Sequence, residues 1–226
     1  MRIQSSTGIS MPQTASSADS ARSPLPETTL AVVLAGGDGR RMGGSKALRQ
    51  LGATTLVANA LALAHGYCRN AVVVVRSPDQ LAGAVNAALL IDRPGLEGPL
   101  GGLAAALEYA DRLGAARVLT LPCDAPRLPL DLRARLEAAL DGEGSARVAV
   151  AASDGRLHPT CALWRTDSLA TLSAYAASGG RSLKGLAGEL CMAIVAWEAG
   201  DADPFANANT PDELAALQPH ADAFGY

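Results

Sequence analysis

The sequence is poor in residues on which several common kinds of protein depend. Only 4% of its 226 residues are aromatic and 18% are charged, whereas 49% are apolar. The net charge is −3, so the totals give no support for a nucleic-acid groove, which needs a broad basic stripe. Any site for an anion must therefore be local.

Cysteines and long apolar runs are scarce as well. The four cysteines include no CxxC pair and no nearby histidine cluster, so neither a zinc site nor a disulfide framework is indicated. No apolar run approaches the ~20 residues of a membrane span, and residues 1–28 lack the apolar core of a signal peptide. We therefore expect a cytoplasmic protein with reduced thiols and with no membrane or nucleic-acid partner.

The composition and the periodicity of the sequence change at Thr29. Residues 1–28 are rich in Ser, Thr, Ala and Pro without periodicity, which predicts a disordered N-terminal tail. Residues 29–226 alternate short β-rich runs with Ala/Leu-rich segments, which predicts βαβ units and a mostly parallel sheet in one α/β domain. The predicted strands are 30–34, 71–76, 87–91, 117–121, 147–151, 159–164 and 192–197. The predicted helices are 54–65, 100–113, 129–140, 167–177, 181–189 and 211–217.

The stretch LAGGDGRRMGGSKAL, residues 34–48, leaves the first predicted strand. Ligands of open α/β sheets collect at the carboxyl ends of the strands, and its five glycines let backbone N–H groups approach an anion closely. Its three basic side chains against Asp38 give a local surplus of +2 in an acidic chain. Only two of the 19 basic residues are lysines, so Lys46 indicates a need for a compact ammonium. The alternative for this loop alone is a solvated glycine-rich turn.

The sequence of this loop does not match either of two familiar phosphate-binding motifs. A GxGxxG dinucleotide fingerprint that began at Gly37 would need a third glycine where Met42 stands. A P-loop needs Gly-Lys-Ser/Thr, whereas Gly44 is followed by Ser45 and then by Lys46. The loop therefore predicts a phosphate site of another kind.

Two aspartates follow later predicted strands. Asp92 in IDRPGLEGPLGG could accept hydrogen bonds from a base or a ribose, or could equally cap a turn. Asp124 in PCDAP lies between two prolines that restrict the backbone. Mg²⁺ takes only one or two protein carboxylates and completes its shell with water and phosphate oxygens, so one rigid aspartate suffices. A helix cap is the weaker alternative for Asp124, because the next predicted helix begins several residues later.

The last third of the chain adds four polar candidates. His158, which begins HPTCALW, faces a ligand or serves as a hydrogen-bonded structural residue. Asn207 and Asn209 in FANANTPDEL alternate along an extended segment and so face the same side, although Asn209 could simply support the helix that Thr210 is expected to cap. Arg181 follows two glycines and offers a second anion contact, for which surface charge is the commoner explanation.

Taken in order over roughly residues 30–217, the motifs LAGGDGRRMGGSKAL, GPLGG, PCDAP, HPTCALW and FANANTP resemble the molybdenum cofactor guanylyltransferase family. The resemblance implies a Rossmann-like, doubly wound α/β nucleotidyltransferase fold. It also implies transfer of GMP from GTP to molybdopterin carrying molybdenum, with release of pyrophosphate. The alternatives are a molybdenum cofactor cytidylyltransferase and a non-catalytic nucleotide- or cofactor-binding relative. We expect a monomer that meets molybdopterin-handling proteins and acceptor molybdoenzymes.

The resemblance also assigns residues to GTP, to molybdopterin and to Mg²⁺, the expected cofactor. The implied nucleotide-binding residues are Leu34, Ala35, Gly36, Gly37, Arg41, Gly43, Gly44, Lys46, Asp92 and Asp124. Three of them are expected to be catalytic, namely Arg41, Lys46 and Asp124, and Asp124 is also the expected metal ligand. The residues expected on the molybdopterin side are His158, Arg181, Asn207 and Asn209.

One position departs from the family pattern. Ser45 stands where the family usually has an aspartate before the lysine. The missing carboxylate removes a partner for Lys46 or for a loop arginine. We expect this change to affect the conformation of the loop more than the activity. The expected nucleophile, the terminal phosphate of the pterin, is largely dianionic at pH 7 because phosphomonoesters titrate near ~6. No protein base is then required, and catalysis is expected from in-line positioning and charge neutralisation.

Overall fold

A computed structural model describes residues 29–36, 46–81, 83–96, 98–142, 144–200 and 202–222. The predicted tail and most of the glycine loop lie outside these residues. The strands are β1 Thr29–Leu34, β2 Gln50–Leu51, β3 Thr54–Thr55, β4 Ala71–Val75, β5 Ala88–Ile91, β6 Arg117–Pro122, β7 Val148–Ser153, β8 Arg156–Arg165 and β9 Met192–Trp197. The helices are α1 Leu56–Tyr67, α2 Pro99–Leu113, α3 Leu132–Gly142, α4 Leu169–Ala177, α5 Leu183–Glu189 and α6 Pro211–Asp222.

Seven of these strands form one sheet in the order β5-β4-β1-β6-β8-β7-β9. All of them run in one direction except β8, which is antiparallel to both of its neighbours. Apolar side chains of α1, α3 and α6 cover one face of the sheet, and those of α2, α4 and α5 cover the other. The predicted doubly wound, mostly parallel α/β fold is confirmed. Strands buried on both faces need continuous apolar runs, which is why β1 and β4 read as LAVVL and AVVVV.

The reversed strand β8 is the main feature that the sequence analysis did not predict. A two-residue turn joins β7 to β8, and both of its residues have positive φ, 47° at Asp154 and 72° at Gly155. Asp-Gly is typical of this hairpin turn, so the signal was present in the sequence. Because β8 runs backwards, its first residues lie at the carboxyl edge of the other strands.

A bulge interrupts β8 soon after it begins. The pairing with β7 jumps from Ala151 opposite His158 to Val150 opposite Ala162, which leaves residues 159–161 outside the regular ladder. Pro159 cannot donate a ladder hydrogen bond, which explains the position of the bulge. The predicted strand 159–164 is therefore the second part of a longer strand.

At the carboxyl edge of the sheet, backbone hydrogen bonds connect the residues that follow one strand to the last residues of the neighbouring strand. Ala35 N–H donates to Val74 O at 2.9 Å, and Cys123 N–H donates to Leu34 O at 3.3 Å. The chain that leaves β5 is joined in the same way, since Asp92 N–H donates to the last residue of β4 at 2.9 Å. The segments that carry the predicted site residues thus start from adjoining strand ends.

Two further expectations concern cysteines and membrane spans. None of the four cysteines, all of which lie among the described residues, forms a disulfide, and three of them, Cys68, Cys123 and Cys161, are buried. Among the described residues, no helix has the length and apolar character needed to cross a membrane.

Candidate functional site

A cavity of about 300 Å³ opens at the carboxyl edge of β1, β4, β5 and β6. Seven of the predicted site residues line it, namely Leu34, Ala35, Gly36, Lys46, Asp92, Asp124 and Asn207. The predicted residues Gly37, Arg41, Gly43 and Gly44 lie outside the described residues. The described residues on either side of them, 34–36 and 46–47, line this cavity.

Lys46 joins the two ends of the site. Its ammonium donates to Asp124 Oδ2 at 2.5 Å and to Asn209 Oδ1 at 2.7 Å. The side chains of Lys46 and Asp124 are only 16% and 21% exposed, so their charges are partly shielded from water. A charge-assisted bond of this kind is about twice as strong as a neutral hydrogen bond. One cation therefore holds together residues that lie 78 and 163 positions away from it along the chain.

The backbone around Asp124 is fixed from two other parts of the chain. Ala208 N–H donates to Asp124 O at 2.8 Å, and the side-chain amide of Asn59 donates to Pro126 O at 3.3 Å. Asn59 lies on α1, is 3% exposed and was not among the predicted residues. A buried amide needs a hydrogen-bond partner, and this one supports the PCDAP segment. The carboxylate is consequently aimed by backbone contacts as well as by Lys46.

Asp92 lies in a slot between two glycines. A Cβ atom on Gly36 would lie 3.0 Å from Asp92 Oδ2, and one on Gly102 would lie 3.1 Å from Oδ1. Both distances are shorter than ordinary van der Waals contact, so the glycines make room for the carboxylate. Burial raises the pKa of Asp92, and the positive charge of Arg76 opposes that rise in part. A carboxylate drawn out of water in this way favours hydrogen-bond donors from a ligand.

Arg76 and Gln80 are functional candidates that the sequence analysis missed. Arg76 lines the cavity directly after β4, and its backbone N–H donates to Gln80 Oε1 at 2.9 Å. The amide of Gln80 in turn donates to Ala35 O at 2.5 Å. The predicted strand 71–76 included Arg76, whereas β4 ends at Val75, so a strand end placed one residue earlier would have marked Arg76 as the first residue after a buried strand.

The segment with the two asparagines ends in a helix cap. Glu213 N–H donates to Thr210 Oγ1 at 3.2 Å, and Glu213 Oε2 accepts from Thr210 N–H at 3.1 Å. This reciprocal pair is a capping box, which confirms the predicted cap. Asn209 N–H also donates to Glu213 Oε2, at 2.6 Å. Asn209 therefore supports the helix start with its backbone and holds Lys46 with its side chain, while Asn207 lines the cavity.

The structure places His158 and Arg181 away from the cavity lining. His158 is 8% exposed, its Nε2 lies 2.7 Å from Ser153 Oγ, and its ring stacks on Phe205 at 4.7 Å between centroids. These contacts correspond to the structural alternative for this histidine, and its role in binding molybdopterin stays a prediction. Arg181 is exposed ahead of α5, and a Cβ atom on the cavity-lining Gly98 would lie 3.9 Å from its carbonyl oxygen.

The thiols near Asp124 are unsuited to nucleophilic chemistry. Burial, reinforced by the negative charge of Asp124, raises the pKa of Cys123 to about 12. The pKa of Cys161 is raised for the same two reasons. Since the thiolate is the reactive form, both cysteines act as apolar packing residues at neutral pH.

The donor set of the cavity suits a divalent ion that arrives together with phosphates. The carboxylates in the lining are Asp92 and Asp124, and no group of three or more His, Cys, Asp or Glu side chains that could hold a metal occurs among the described residues. Mg²⁺ keeps several water ligands and commonly uses one or two carboxylates plus substrate phosphates. Asp124 fits that requirement, whereas an ion held by protein ligands alone would not be supported here.

A doubly wound sheet whose carboxyl edge bears a glycine-lined cavity with a lysine–aspartate pair agrees with the α/β nucleotidyltransferase fold that the motifs implied. The model of the MobA-like NTP transferase domain matches residues 31–190, more than half of the chain, and the chain belongs to this family. This match confirms the resemblance inferred from the motifs.

Individual relatives agree with this assignment. The molybdenum cofactor guanylyltransferase of Rhodobacter capsulatus is 39% identical over 186 residues, which cover 81% of this chain and 92% of the relative. The crystal structure of molybdopterin-guanine dinucleotide biosynthesis protein A from Archaeoglobus fulgidus matches with a TM-score of 0.69 at 20% identity, over 86% of this chain and 99% of that one.

The same fold also occurs in an enzyme named for another nucleotide. The 2-C-methyl-D-erythritol 4-phosphate cytidylyltransferase of Thermus thermophilus matches with a TM-score of 0.60 at 21% identity, over 84% of this chain and 98% of that one. The fold alone therefore does not select the base.

Proposed function

We propose that this nucleotidyltransferase transfers GMP from GTP to the terminal phosphate of molybdenum-loaded molybdopterin and releases pyrophosphate. The observation that carries the proposal is the contact of Lys46 with both Asp124 and Asn209, because it joins the nucleotide loop to the segment expected to bind the pterin. The 39% identity to a guanylyltransferase over 92% of that protein supports the choice of substrates.

In this proposal, the nucleotide occupies the cavity between β1 and α2. Asp92, held between Gly36 and Gly102, accepts hydrogen bonds from the base or the ribose. Backbone N–H groups of the glycine loop donate hydrogen bonds to the phosphates in this proposal. Asn207 and Asn209 face the acceptor, so the two substrates meet beside Lys46 and Asp124.

Charge neutralisation is the main contribution of the protein to the reaction. Lys46 places a compact ammonium, already partly shielded from water, where the α-phosphate must pass, and the proposal adds Arg41 from the glycine loop. A Mg²⁺ ion bound through Asp124 would neutralise charge on the phosphates and the leaving pyrophosphate. Preorganised charges of this kind stabilise the transition state because they need not reorient during the reaction.

The proposed reaction is a direct in-line transfer. An oxygen of the pterin phosphate forms the new bond to the α-phosphorus of GTP, and the bond to the bridging oxygen of pyrophosphate breaks. The attacking phosphate is largely dianionic at pH 7, so no side chain has to remove a proton. Cys123, the thiol nearest Asp124 in sequence, stays protonated and forms no covalent intermediate.

The test compares GTP and CTP in parallel. Purified protein is incubated with Mg²⁺, molybdenum-loaded molybdopterin and either labelled nucleotide, and both the dinucleotide and pyrophosphate are quantified. We expect product with GTP and little with CTP. Product with CTP alone would identify a cytidylyltransferase, and binding of GTP without pyrophosphate release would identify a non-catalytic relative. Cys123→Ser serves as a control that should retain activity.

The proposal also includes a cytoplasmic monomer that receives its substrate from molybdopterin-handling proteins and passes the product to acceptor molybdoenzymes. Light scattering after size exclusion would test the monomeric state. A dimer that stays intact at nanomolar concentration would contradict that part of the proposal and leave the chemistry unchanged.

A further inference from the structure

A polar cluster of two buried residues and one half-buried residue lies outside the cavity lining and has no part in the proposed chemistry. Ser153 Oγ lies 2.7 Å from His158 Nε2 and donates to Asp203 Oδ1 at 2.9 Å. Ser153 ends β7, His158 belongs to β8, and Asp203 lies in the segment that follows β9. Ser153 is only 2% exposed and His158 only 8% exposed. We call these three residues the positioning cluster.

The hydrogen bonds determine which ring nitrogen of His158 carries the proton. A serine hydroxyl has one proton, and Ser153 donates it to the carboxylate of Asp203. The contact with His158 must then use a lone pair of the hydroxyl, so Nε2–H is the donor. Each member of the positioning cluster consequently has a defined direction of hydrogen bonding.

This order differs from that of a hydrolytic triad. In a triad the carboxylate orients the histidine and the histidine takes the proton of the serine. Here the serine lies between the other two side chains, gives its proton to the carboxylate and is shielded from solvent. The arrangement is therefore a structural bridge between elements.

The bridge ends in the segment that carries the two asparagines. Asp203 Oδ1 also accepts from Phe205 N–H at 2.9 Å, which turns the chain, and the Phe205 ring stacks on His158 at 4.7 Å. Phe205 is 2% exposed, and its ring packs in a T-shaped arrangement with Trp197 at 5.3 Å between centroids. Two residues farther on, Asn207 lines the cavity.

The other end of that segment is held by contacts already described, namely Ala208 N–H to Asp124 O and Asn209 Oδ1 to Lys46. Residues 203–209 are thus anchored at both ends, and the first anchor consists of the positioning cluster with Phe205. Fixing a short extended segment at both ends restricts the positions that its side chains can take.

We infer that Ser153, His158 and Asp203 are positioning residues that hold residues 203–209 so that Asn207 and Asn209 meet the acceptor substrate. They act through Phe205 and the backbone and do not touch the nucleotide. The effect on acceptor kinetics rests on the proposed function, whereas the hydrogen-bond pattern does not. His158 accordingly contributes to acceptor binding from behind the site.

A pair of substitutions at Asp203 separates this role from general damage. Asp203→Ala removes the acceptor for both Ser153 and Phe205, whereas Asp203→Asn keeps a side-chain oxygen in the same place. We expect Asp203→Ala to raise the KM for molybdopterin about tenfold, as the loss of a hydrogen bond to a charged group would. The KM for GTP should stay within about twofold, and Asp203→Asn should restore most of the acceptor affinity.

A double-mutant cycle distinguishes positioning from direct contact at His158. If His158 acts through the positioning cluster, His158→Gln and Asp203→Ala together should cost little more than the larger single change. Additive losses would mean that His158 touches the acceptor independently, which would overturn the inference. Equal losses for GTP and molybdopterin in Asp203→Ala would overturn it as well.

Two measurements on the protein test the positioning cluster without any activity. Long-range ¹H–¹⁵N spectra at pH 7.5 should show the His158 ring protonated at Nε2, with its signals identified by their absence in His158→Gln. Trp197 fluorescence should change in Asp203→Ala but not in Asp203→Asn, because Phe205 loses its anchor only in the first variant. Protonation at Nδ1, or unchanged fluorescence in Asp203→Ala, would contradict the inference even if the protein had no guanylyltransferase activity.

Discussion

The two halves of the sheet build their parts of the site by different means. In the half formed by β5, β4, β1 and β6, parallel strands end side by side, and the cavity is shaped by backbone, glycines and the residues that come next. In the half formed by β8, β7 and β9, the reversed strand and side-chain hydrogen bonds between distant segments carry the polar groups. In the first half, glycines leave room for the carboxylate of Asp92. In the second half, hydrogen bonds between side chains hold the polar groups in place.

Asp124 lies where the two halves meet, so its loss should have the largest effect. Asp124→Asn keeps the backbone contact with Ala208 but removes the negative charge that pairs with Lys46 and fits a metal ion. We expect turnover to fall by about 10³-fold or more, as for the loss of a central electrostatic group. Steady-state pyrophosphate release measures this change.

The matched control for that change is Asp111→Asn on α2, where the carboxylate is exposed. It should leave turnover within about twofold, because isolated surface charges contribute little. Activity in Asp124→Asn equal to that of the control would remove Asp124 from the chemistry.

Lys46 is the next most sensitive position, because it connects the halves through a single ammonium. Lys46→Arg keeps the charge but replaces a compact group with a larger planar one between Asp124 and Asn209. We expect turnover to drop by about 10²-fold. Lys184→Arg, at the only other lysine of the chain, is exposed on α5 and should have no effect. Full activity in Lys46→Arg would show that charge alone is needed at this position.

A substitution in the slot formed by Gly36 and Gly102 tests the first half of the sheet separately from the second. A methyl group at Gly102 would meet Asp92 Oδ1 at 3.1 Å, Leu34 at 3.1 Å and Val74 at 3.2 Å. Gly102→Ala should therefore displace Asp92 and raise the KM for GTP about tenfold, with the KM for molybdopterin nearly unchanged. Its mirror image is Asp203→Ala, which should affect the acceptor alone.

Gly188→Ala is the control for the glycine slot, because nothing lies within 4 Å of its added methyl group. It should leave both KM values unchanged and stabilise the helix by up to about 1 kcal/mol. If Gly102→Ala altered both substrates equally, the division of the site between the two halves would be wrong.

The smallest expected effect is on the pH dependence of stability, and it involves His158 in the second half of the sheet. Burial lowers the pKa of His158; the nearby charge of Asp203 opposes this shift and that of Arg156 adds to it. The unfolded chain therefore binds a proton at this residue before the folded protein does as pH falls. The stability contributed by neutral His158 is fully present above about pH 6.5 and is lost as pH falls toward the lowered pKa.

Thermal unfolding at pH 7.5 and pH 5.5 measures this contribution. The unfolding midpoint of the wild type should fall more than that of His158→Gln, which cannot titrate. His65→Gln, at an exposed position on α1, should behave as the wild type does. A wild type and a His158→Gln variant with the same pH dependence would show that His158 does not titrate differently on folding.

Much of the first half of the molecule could be predicted from local patterns. Apolar runs followed by glycine or aspartate marked β1, β5 and β6 and led to Gly36, Asp92 and Asp124, which all line the cavity. Arg76 was missed because the predicted strand 71–76 ran one residue past the end of β4. The predicted glycines and Arg41 in the centre of the loop lie outside the described residues and stay predictions.

Contacts between residues far apart in the chain were harder to predict, and they occur in both halves of the sheet. Nothing near Asn59 in the sequence indicates that it supports Pro126, 67 residues away. The contacts of His158 with Ser153 and Phe205 could not be predicted either, because they join separate segments of the chain. The Asp154-Gly155 turn was a usable local signal for the reversal of β8, and it was overlooked.

By itself, the sequence determined the fold class, the family and the edge of the sheet where the candidate site lies. These properties follow from periodicity, glycine positions and short motifs, which act over a few residues. The tertiary structure alone decided that Lys46 touches both Asp124 and Asn209, that β8 runs backwards at the edge of the candidate site, and that His158 is buried outside the cavity lining. Those facts depend on contacts between residues far apart in the chain, where packing and the burial of polar groups select one pairing among many.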